Sequence, residues 1–397
     1  MAQLAEASGL GPEGWGFDSL QRHHMRLPYN GYYKALPTLR CEFDSHYPLH
    51  DEKHMNLSDI QSLQCEITSY CNARCPQCPR FDQYGNLYPG LTLSHWNHQD
   101  ILSNIELDQL TNLKLVRLEG DKGDPVMHPN CDEIVNFFVN APSRPLVRLV
   151  TNGSIQTQNW WSKMGELSKQ NNFDVIFSID GLADTNQIYR INTDFKKIMR
   201  NAQAFIDAGG QAIWKFLVFK HNEHQLNEIT ELAKAMGFAA IQVRKADDYR
   251  FLGNSSFVVY DQGNPVGEIK PSDIPRDQLL YFTWFDKKKE FIERFIVDKN
   301  CVWMNQGKMN ITFQGYLMPC CMMHHVLNDV NQDLVQQTVD LIKNPDDLLL
   351  TKHTVQDILN SEFYKHRLET HLQGKTLHPI CESNCKKQIE DKLIATD

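Results

Sequence analysis

Three closely spaced cysteines occur in one short segment, Glu66-Ile67-Thr68-Ser69-Tyr70-Cys71-Asn72-Ala73-Arg74-Cys75-Pro76-Gln77-Cys78-Pro79-Arg80. They follow a C-x3-C-x2-C spacing directly after an alternating segment, with Leu63, Cys65 and Ile67 on one side, which predicts a β-strand. Three thiolates on one loop can hold three irons of a cubane cluster and leave the fourth iron without a protein ligand. A closed structural zinc site needs four ligands, and the nearest histidines, His95 and His98, lie beyond a segment that contains Gly and Pro. The spacing therefore indicates a catalytic iron–sulfur loop.

The arrangement of Cys71, Cys75 and Cys78 after a strand resembles the cluster loop of the radical S-adenosylmethionine (SAM) superfamily. The resemblance implies that these cysteines bind a [4Fe–4S] cluster whose open iron chelates the amine and carboxylate of SAM. An electron from the cluster then cleaves SAM to a 5′-deoxyadenosyl radical, which abstracts hydrogen from a substrate. Most members carry an aromatic residue before the third cysteine, at a position that contacts adenine, and this chain has Gln77 there. A redox thiol pair or an irregular zinc loop are the alternatives, and the position after a strand disfavours both.

Composition excludes several other classes of protein. The 397 residues, 41% of them hydrophobic, are enough for a barrel and an appendage. A net charge of −9 argues against a nucleic-acid polymer as partner. No apolar run is long enough for a membrane span and the N-terminus lacks a signal pattern. The odd number of eleven cysteines, mostly clustered, fits metal ligation in a reducing cytoplasm better than a disulfide framework.

Residues 61–250 alternate predicted strands and helices. The strands are Leu63–Thr68, Leu113–Leu118, Leu146–Thr151, Asp174–Ile179, Ala212–Phe219 and Ala239–Arg244. The helices are His98–Asn104, Cys131–Ala141, Asn159–Lys169, Phe195–Ala208 and His224–Met236. Such β/α units predict an α/β fold with an all-parallel sheet and right-handed crossovers. The resemblance makes this a partial (β/α)6 radical SAM barrel, with active residues at the carboxyl ends of the strands.

Short polar motifs follow the predicted strands in order. A Gly-Asp-Pro turn at 123–125 resembles the family's Gly-Gly-Glu-Pro loop, which implies that Gly123 and Asp124 lie at the SAM ammonium group. Thr-Asn-Gly at 151–153 places Asn152 near the ribose by the same resemblance. Ser178, in a Ser-Ile-Asp-Gly element, and Arg190 are assigned to the SAM carboxylate, which a guanidinium matches bidentately. Each motif alone is an ordinary turn sequence, and their order along the strands favours the cofactor assignment.

Two segments outside the barrel carry weaker patterns. Residues 1–60 predict an irregular N-terminal wrap with surface histidines. Residues 251–300 predict a linker and then an amphipathic helix that packs on the barrel through aromatic side chains, with a substrate groove as the less favoured alternative. Those aromatic residues are Tyr281, Phe282, Trp284, Phe285, Phe291 and Phe295.

Residues 301–397 contain a second set of cysteines. Cys301 and Cys320 flank Gly315 in a C-x13-G-x4-C pattern over a predicted hairpin, and Cys381 and Cys385 follow as C-x3-C. This pattern resembles the SPASM/Twitch auxiliary-cluster domain, including a middle helix over 354–371. The resemblance implies a small α+β domain in which these four cysteines hold one auxiliary [4Fe–4S] cluster. A zinc ribbon is the alternative for four cysteines in two pairs, and adjacent Cys321 is an additional thiol.

Taken together, the resemblance implies a cytoplasmic radical SAM oxidoreductase that modifies a peptide residue by oxidation, epimerisation or cross-linking. A dehydrogenase or cyclase of a small molecule such as an amino sugar or a nucleotide is the alternative. A non-catalytic electron-transfer or zinc-stabilised binding protein is the alternative of another class. An external reductant such as flavodoxin or ferredoxin is the implied protein partner, and neither a membrane nor a nucleic-acid polymer is expected.

Overall fold

The computed structural model describes residues 55–246, 256–279, 281–285, 306–323, 332–368, 370 and 381. The predicted N-terminal wrap, apart from residues 55–60, lies outside these residues, as do Phe291, Phe295, Cys301 and Cys385. None of the described helices is both long and apolar enough to cross a membrane.

Among the described residues, nine strands form one sheet and two more form a separate hairpin. The strands are β1 (Ser62–Cys65), β2 (Leu115–Leu118), β3 (Leu146–Thr151), β4 (Phe173–Ser178), β5 (Gln211–Val218), β6 (Ala240–Lys245), β7 (Phe257–Asp261), β8 (Asn264–Ile269), β9 (Tyr281–Trp284), β10 (Lys308–Ile311) and β11 (Leu317–Met318). Strands β1 to β6 are parallel neighbours in chain order, as the sequence predicts. The α/β class and the parallel arrangement are therefore confirmed.

The first six described helices lie in the connections between the parallel strands, and three more follow later in the chain. The described helices are α1 (His98–Ser103), α2 (Cys131–Val139), α3 (Gln158–Gln170), α4 (Asn186–Tyr189), α5 (Phe195–Asp207), α6 (Leu226–Met236), α7 (Arg276–Leu279), α8 (Gln332–Ile342) and α9 (Val355–Leu359), followed by a π-helical turn at Phe363–Arg367. Helix α6 ends at Gly237, whose φ of 89° is a left-handed conformation that suits glycine.

The helix predicted over 354–371 is divided into α9 and the π-helical turn. Ile358, Phe363 and Leu368 are nevertheless all buried, as its pattern predicts.

The core lies between the sheet and these helices, where Phe205 packs edge to face with both Trp161 and Phe177. The opposite face of the sheet lines the inside of the partial barrel. There, Arg148 and Asp174 form a buried bidentate ion pair across β3 and β4 with both contacts at 2.8 Å. Because side chains alternate along a strand, the residues that follow on this face point to the same interior.

Two edge strands differ from the prediction or extend it. Tyr281–Trp284 is strand β9, paired antiparallel with β6, so the amphipathic helix predicted for these aromatic residues is wrong over this stretch. The exposed edge of β6 needs hydrogen-bonding partners, and an aromatic strand supplies them. At the other edge, β10 pairs in parallel with β1 and β11 pairs antiparallel with β10. The predicted hairpin around Gly315 is confirmed, and it continues the barrel sheet.

Candidate active site

The cysteine loop begins where β1 leaves the sheet. Strand β1 ends at Cys65 rather than at Thr68, because Thr68 instead forms an isolated antiparallel bridge with His95. The loop that follows is held from several sides: Cys78 N–H donates to the Cys75 carbonyl at 3.0 Å, and Arg80 Nη1 donates to the Cys71 carbonyl at 3.1 Å. The three cysteines are free thiols on one constrained loop.

The surroundings of these thiols suit a metal cluster. Burial raises the pKa of each thiol, that of Cys75 to about 11, so none is a thiolate without a cation beside it. Coordinated iron supplies that cation, since metal binding deprotonates a thiol ligand. N–H donors already point at two of the sulfurs: Asn152 Nδ2 lies 3.8 Å from Cys71 Sγ, and Arg190 Nη1 lies 3.6 Å from Cys75 Sγ. Three converging thiols with donors to their sulfurs fit a [4Fe–4S] cluster with one open iron.

The loop opens onto a cavity of about 410 Å³ at the carboxyl ends of the strands. The cavity is large enough for a cofactor-sized molecule. Its lining includes Cys71, Cys75, Gln77, Cys78, Arg80, Glu119, Asp121, Gly123, Asp124, Thr151, Asn152, Ser178, Tyr189, Arg190 and Lys215. All of the residues assigned from sequence to SAM therefore line one cavity together with the cluster cysteines.

Gly123 brings the loop after β2 against the cluster loop. A Cβ atom at this position would lie 2.0 Å from the Thr68 carbonyl oxygen, so no larger residue fits. Beside it, Asp124 accepts hydrogen bonds from Thr151 Oγ1 at 2.8 Å and from the backbone N–H groups of Asn152 and Val126 at 2.8 and 3.1 Å. The Asp124 carboxylate thus fastens the loops after β2 and β3 to each other, in addition to lining the cavity.

Asn152 performs a similar connecting role. Its Nδ2 donates to Asn72 Oδ1 at 2.9 Å, and its Oδ1 accepts from the Ser154 backbone N–H at 2.9 Å. The Gln77 side chain is buried at the cavity wall, and its Nε2 has no hydrogen-bond partner among the described residues. Gln77 therefore presents an amide donor at the position where the family resemblance expects adenine.

Arg190 is anchored before any ligand binds. Its Nε lies 2.5 Å from Oδ2 of Asp180, whose side chain is 0% exposed and whose Oδ1 accepts from the Leu217 backbone N–H at 2.8 Å. Ser178, on the neighbouring strand β4, lines the same cavity. The role of Asp180, which positions the arginine, was not predicted from sequence, although the Ser-Ile-Asp-Gly element contains it.

Charged residues on β5, on β2 and directly after β2 were not predicted from sequence. Arg117 and Glu119 form a bidentate ion pair with both contacts at 2.8 Å, and Lys215 lines the cavity with no ion pair to any described residue. Alternation could have found Lys215, since it shares one face of β5 with Ile213 and Leu217. A lysine in an otherwise apolar buried strand is the available signal.

Two of the four predicted auxiliary ligands are described. Cys320, two residues after β11, and Cys381 are both buried thiols. Adjacent Cys321 is a free thiol, and burial together with the nearby Asp121 carboxylate raises its pKa well above the usual value. Cys321 thus lies close to a cavity-lining residue of the barrel.

Residues 301–386 match the family model of SPASM, an iron–sulfur cluster-binding domain. This region is therefore similar to the SPASM domains that bind iron–sulfur clusters. The match confirms the predicted auxiliary iron–sulfur region and disfavours the zinc ribbon. The SPASM region begins with the predicted ligand Cys301 and contains Cys320, Cys381 and Cys385.

Several solved structures resemble the chain. SuiB from Streptococcus suis bound to S-adenosylmethionine matches at 15% identity and a TM-score of 0.46 over 69% of this chain and 62% of that one. This chain thus spans about three fifths of the length of that SuiB structure. Native anSMEcpe with bound AdoMet matches at 13% identity and a TM-score of 0.44 over 84% and 98% of the two chains. BtrN in complex with AdoMet and 2-DOIA matches at 14% and 0.36 over 83% and 92%. The activity and substrate of this chain do not follow from these likenesses.

Proposed function

We propose that this protein is a radical SAM enzyme in which Cys71, Cys75 and Cys78 hold the [4Fe–4S] cluster and SAM occupies the adjacent cavity. The observation that carries the proposal is convergence: three free thiols and the polar ends of β2, β3 and β4 line one cavity. Parallel strands collect functional residues at their carboxyl ends in this way. An electron carrier would instead surround each cluster with four protein ligands.

The cluster, once bound, supplies the electron that cleaves SAM into methionine and a 5′-deoxyadenosyl radical, which removes a hydrogen atom from the substrate. The residues of the chain bind and orient the reactants. Arg190 and Ser178 hold the SAM carboxylate near the cluster loop, and Arg190 needs little reorganisation because Asp180 fixes its Nε. Gly123 and Asp124 offer backbone carbonyls to the ammonium group, and Asn152 and Gln77 contact the nucleoside.

For the substrate we propose a residue of a peptide, oxidised, epimerised or cross-linked, with electrons delivered by a flavodoxin or ferredoxin. The SPASM match supports this choice, since the family resemblance associates that region with peptide modification. The four SPASM-region cysteines are enough to saturate one auxiliary cluster, which suits it to passing an electron from a substrate radical. On this basis the enzyme is an oxidoreductase.

Anaerobic reconstitution tests the proposal. Protein supplied with iron, sulfide, dithionite and SAM is expected to form 5′-deoxyadenosine, and Cys75→Ala is expected to abolish it because two remaining thiolates cannot hold the cubane. Cys131→Ala is the matched control, since Cys131 is a buried free thiol in helix α2 that does not line the cavity. Cleavage at the wild-type rate in Cys75→Ala would refute the cluster assignment.

A further inference from the structure

Lys215 is a cation inside the partial barrel that the proposed binding of SAM does not use. It lies on β5 between Ser178 of β4 and Gln242 of β6, its partners in the strand register, and it lines the cavity. Burial lowers its pKa to about 8, which still leaves most of the side chain protonated at pH 7. An ammonium group held out of water is costly unless an anion compensates it.

The nearby carboxylates are already engaged with other cations. Glu119 accepts both of its contacts from Arg117, at 2.8 Å each. Asp180 accepts from Arg190 through one oxygen and from the Leu217 N–H through the other. Glu119 and Asp180 offset the charge of Lys215 only from a distance, and Arg244 and Arg190 add positive charge near it. No described residue forms an ion pair or hydrogen bond with the Lys215 ammonium group.

The hydrogen bonds from cationic side chains to the cluster loop come from residues other than Lys215. Arg190 approaches Cys75 Sγ at 3.6 Å, and Arg80 and Lys122 are the other cations that act on the cluster thiols. No hydrogen bond from Lys215 reaches any of the three thiols in the described part of the chain. Arg190 thus lies at the cluster loop, where the SAM carboxylate is proposed to bind, and Lys215 is a second cation in the same cavity.

We infer that Lys215 is a specificity-determining residue that binds an anionic oxygen group of the substrate, a carboxylate or a phosphate, inside the cavity. The inference rests on the proposed function, because it assigns the second molecule that the cavity holds besides SAM. Lysine acts as a point charge with rotatable donors, so it accepts either group. The substrate region bound next to the radical is thus acidic: an Asp or Glu side chain or a chain terminus of a peptide, or a phosphorylated group.

Trace acetylation of the full-length reconstituted protein tests this inference. Brief acetic anhydride labelling without reductant, followed by mass spectrometry, measures the reactivity of Lys215 against that of exposed Lys196 on helix α5. In SAM-loaded protein we expect saturating inorganic phosphate or acetate to slow acetylation of Lys215 at least fivefold and to leave Lys196 unchanged. Whichever probe protects identifies the anion class.

Two results would overturn the inference. Protection by SAM alone, with no further effect of either probe, would mean that Lys215 binds the SAM carboxylate. Absence of protection by both probes would mean that it binds no anion. Neither readout requires SAM cleavage, so failure here is distinct from failure of the 5′-deoxyadenosine assay.

A second measurement does not depend on the reactivity of Lys215. Phosphate or acetate bound in the cavity lies close to the paramagnetic reduced cluster, so its nuclear relaxation is enhanced in dithionite-reduced protein whose SAM site is filled with S-adenosylhomocysteine, which is not cleaved. We expect Lys215→Met to lower this enhancement at least fivefold, Lys215→Arg to retain most of it, and Lys196→Met to have no effect. Equal enhancement in wild type and Lys215→Met would refute the assignment.

Discussion

At the scale of single residues, the site depends on charged groups that are paired before a ligand arrives. The Arg190–Asp180 pair is the clearest case, with side chains 15% and 0% exposed. Removing one partner of such a pair leaves the other buried without compensation. Arg190 therefore has a structural role in addition to its proposed contact with SAM.

We predict that Arg190→Ala lowers the free energy of unfolding by about 3 kcal/mol, because Asp180 is left as an uncompensated buried carboxylate. The double variant Asp180→Asn/Arg190→Ala should recover a large part of this loss, since the amide carries no charge. Urea unfolding of the three proteins measures the coupling. If Arg190→Ala is as stable as wild type, the pair does not contribute as inferred.

His128 makes folding stability depend on pH. Its Nδ1 accepts from the Asn130 backbone N–H at 3.0 Å and its Nε2 faces the Trp96 carbonyl at 3.2 Å, which fixes the neutral tautomer. Burial lowers its pKa to about 4. A histidine whose pKa is lower in the folded than in the unfolded protein stabilises the fold at pH values above about 6.5. This contribution decreases as the pH falls from about 6.5 toward 4.

We accordingly predict that wild type loses about 2 kcal/mol of stability from this group between pH 7 and pH 5. His128→Gln should show a correspondingly smaller pH dependence, and the exposed His366→Gln should behave as wild type. Urea midpoints measured across the pH range test this. A pH dependence unchanged in His128→Gln would contradict it.

At the scale of secondary-structure elements, the loops after β1 and β2 must approach each other more closely than a side chain allows. We predict that Gly123→Ala displaces the loop from Thr68, destabilises the protein by about 1–3 kcal/mol and slows 5′-deoxyadenosine formation at least tenfold. Gly90→Ala is the control, since open space surrounds Gly90. The 5′-deoxyadenosine assay and the unfolding curves of both variants test this prediction. Wild-type behaviour of Gly123→Ala would show that the loop can adjust.

Local patterns predicted the parallel strands well and the sheet edges poorly. Alternating or continuous apolar runs bounded by turn residues identify β1 to β6 to within a few residues, and the functional motifs follow because they stand directly after those strands. The segment Tyr281–Trp284 is short and aromatic, which suits a helix face as well as a strand. Whether this segment forms a helix or a strand depends on the open edge of β6, which is a tertiary feature that the local sequence does not encode. Likewise, Asp180 and Lys215 acquire their roles only when neighbouring strands bring partners or a cavity beside them.

At the scale of the whole molecule, the SPASM region and the barrel share one sheet. Strand β10 pairs with β1 although Ser62 and Lys308 lie far apart in sequence, and no local pattern could have specified that register. Further contacts cross the same boundary: Trp96 Nε1 donates to the Thr312 carbonyl at 2.6 Å, and the Val355 N–H donates to the Asn104 carbonyl at 3.1 Å. These shared hydrogen bonds couple the two regions.

We predict that the full chain unfolds in one transition, with tryptophan fluorescence and far-ultraviolet circular dichroism giving the same urea midpoint. A chain that ends at residue 300 should aggregate, because it exposes the edge of β1 that β10 covers. Two separated transitions of the full chain, or a soluble and folded truncated chain, would show that the barrel is independent of the SPASM region.

The two sets of cysteines should nevertheless bind iron separately. We predict about eight irons per chain after reconstitution and about four in both Cys75→Ala and Cys320→Ala, since each variant loses one cubane. Cleavage of SAM without substrate should be absent in Cys75→Ala and should persist in Cys320→Ala, because the cavity beside Cys71, Cys75 and Cys78 does not include Cys320. Iron analysis and 5′-deoxyadenosine formation on the same samples measure both quantities. Loss of SAM cleavage in Cys320→Ala with four irons retained would mean that the SPASM cluster also serves the first reduction step.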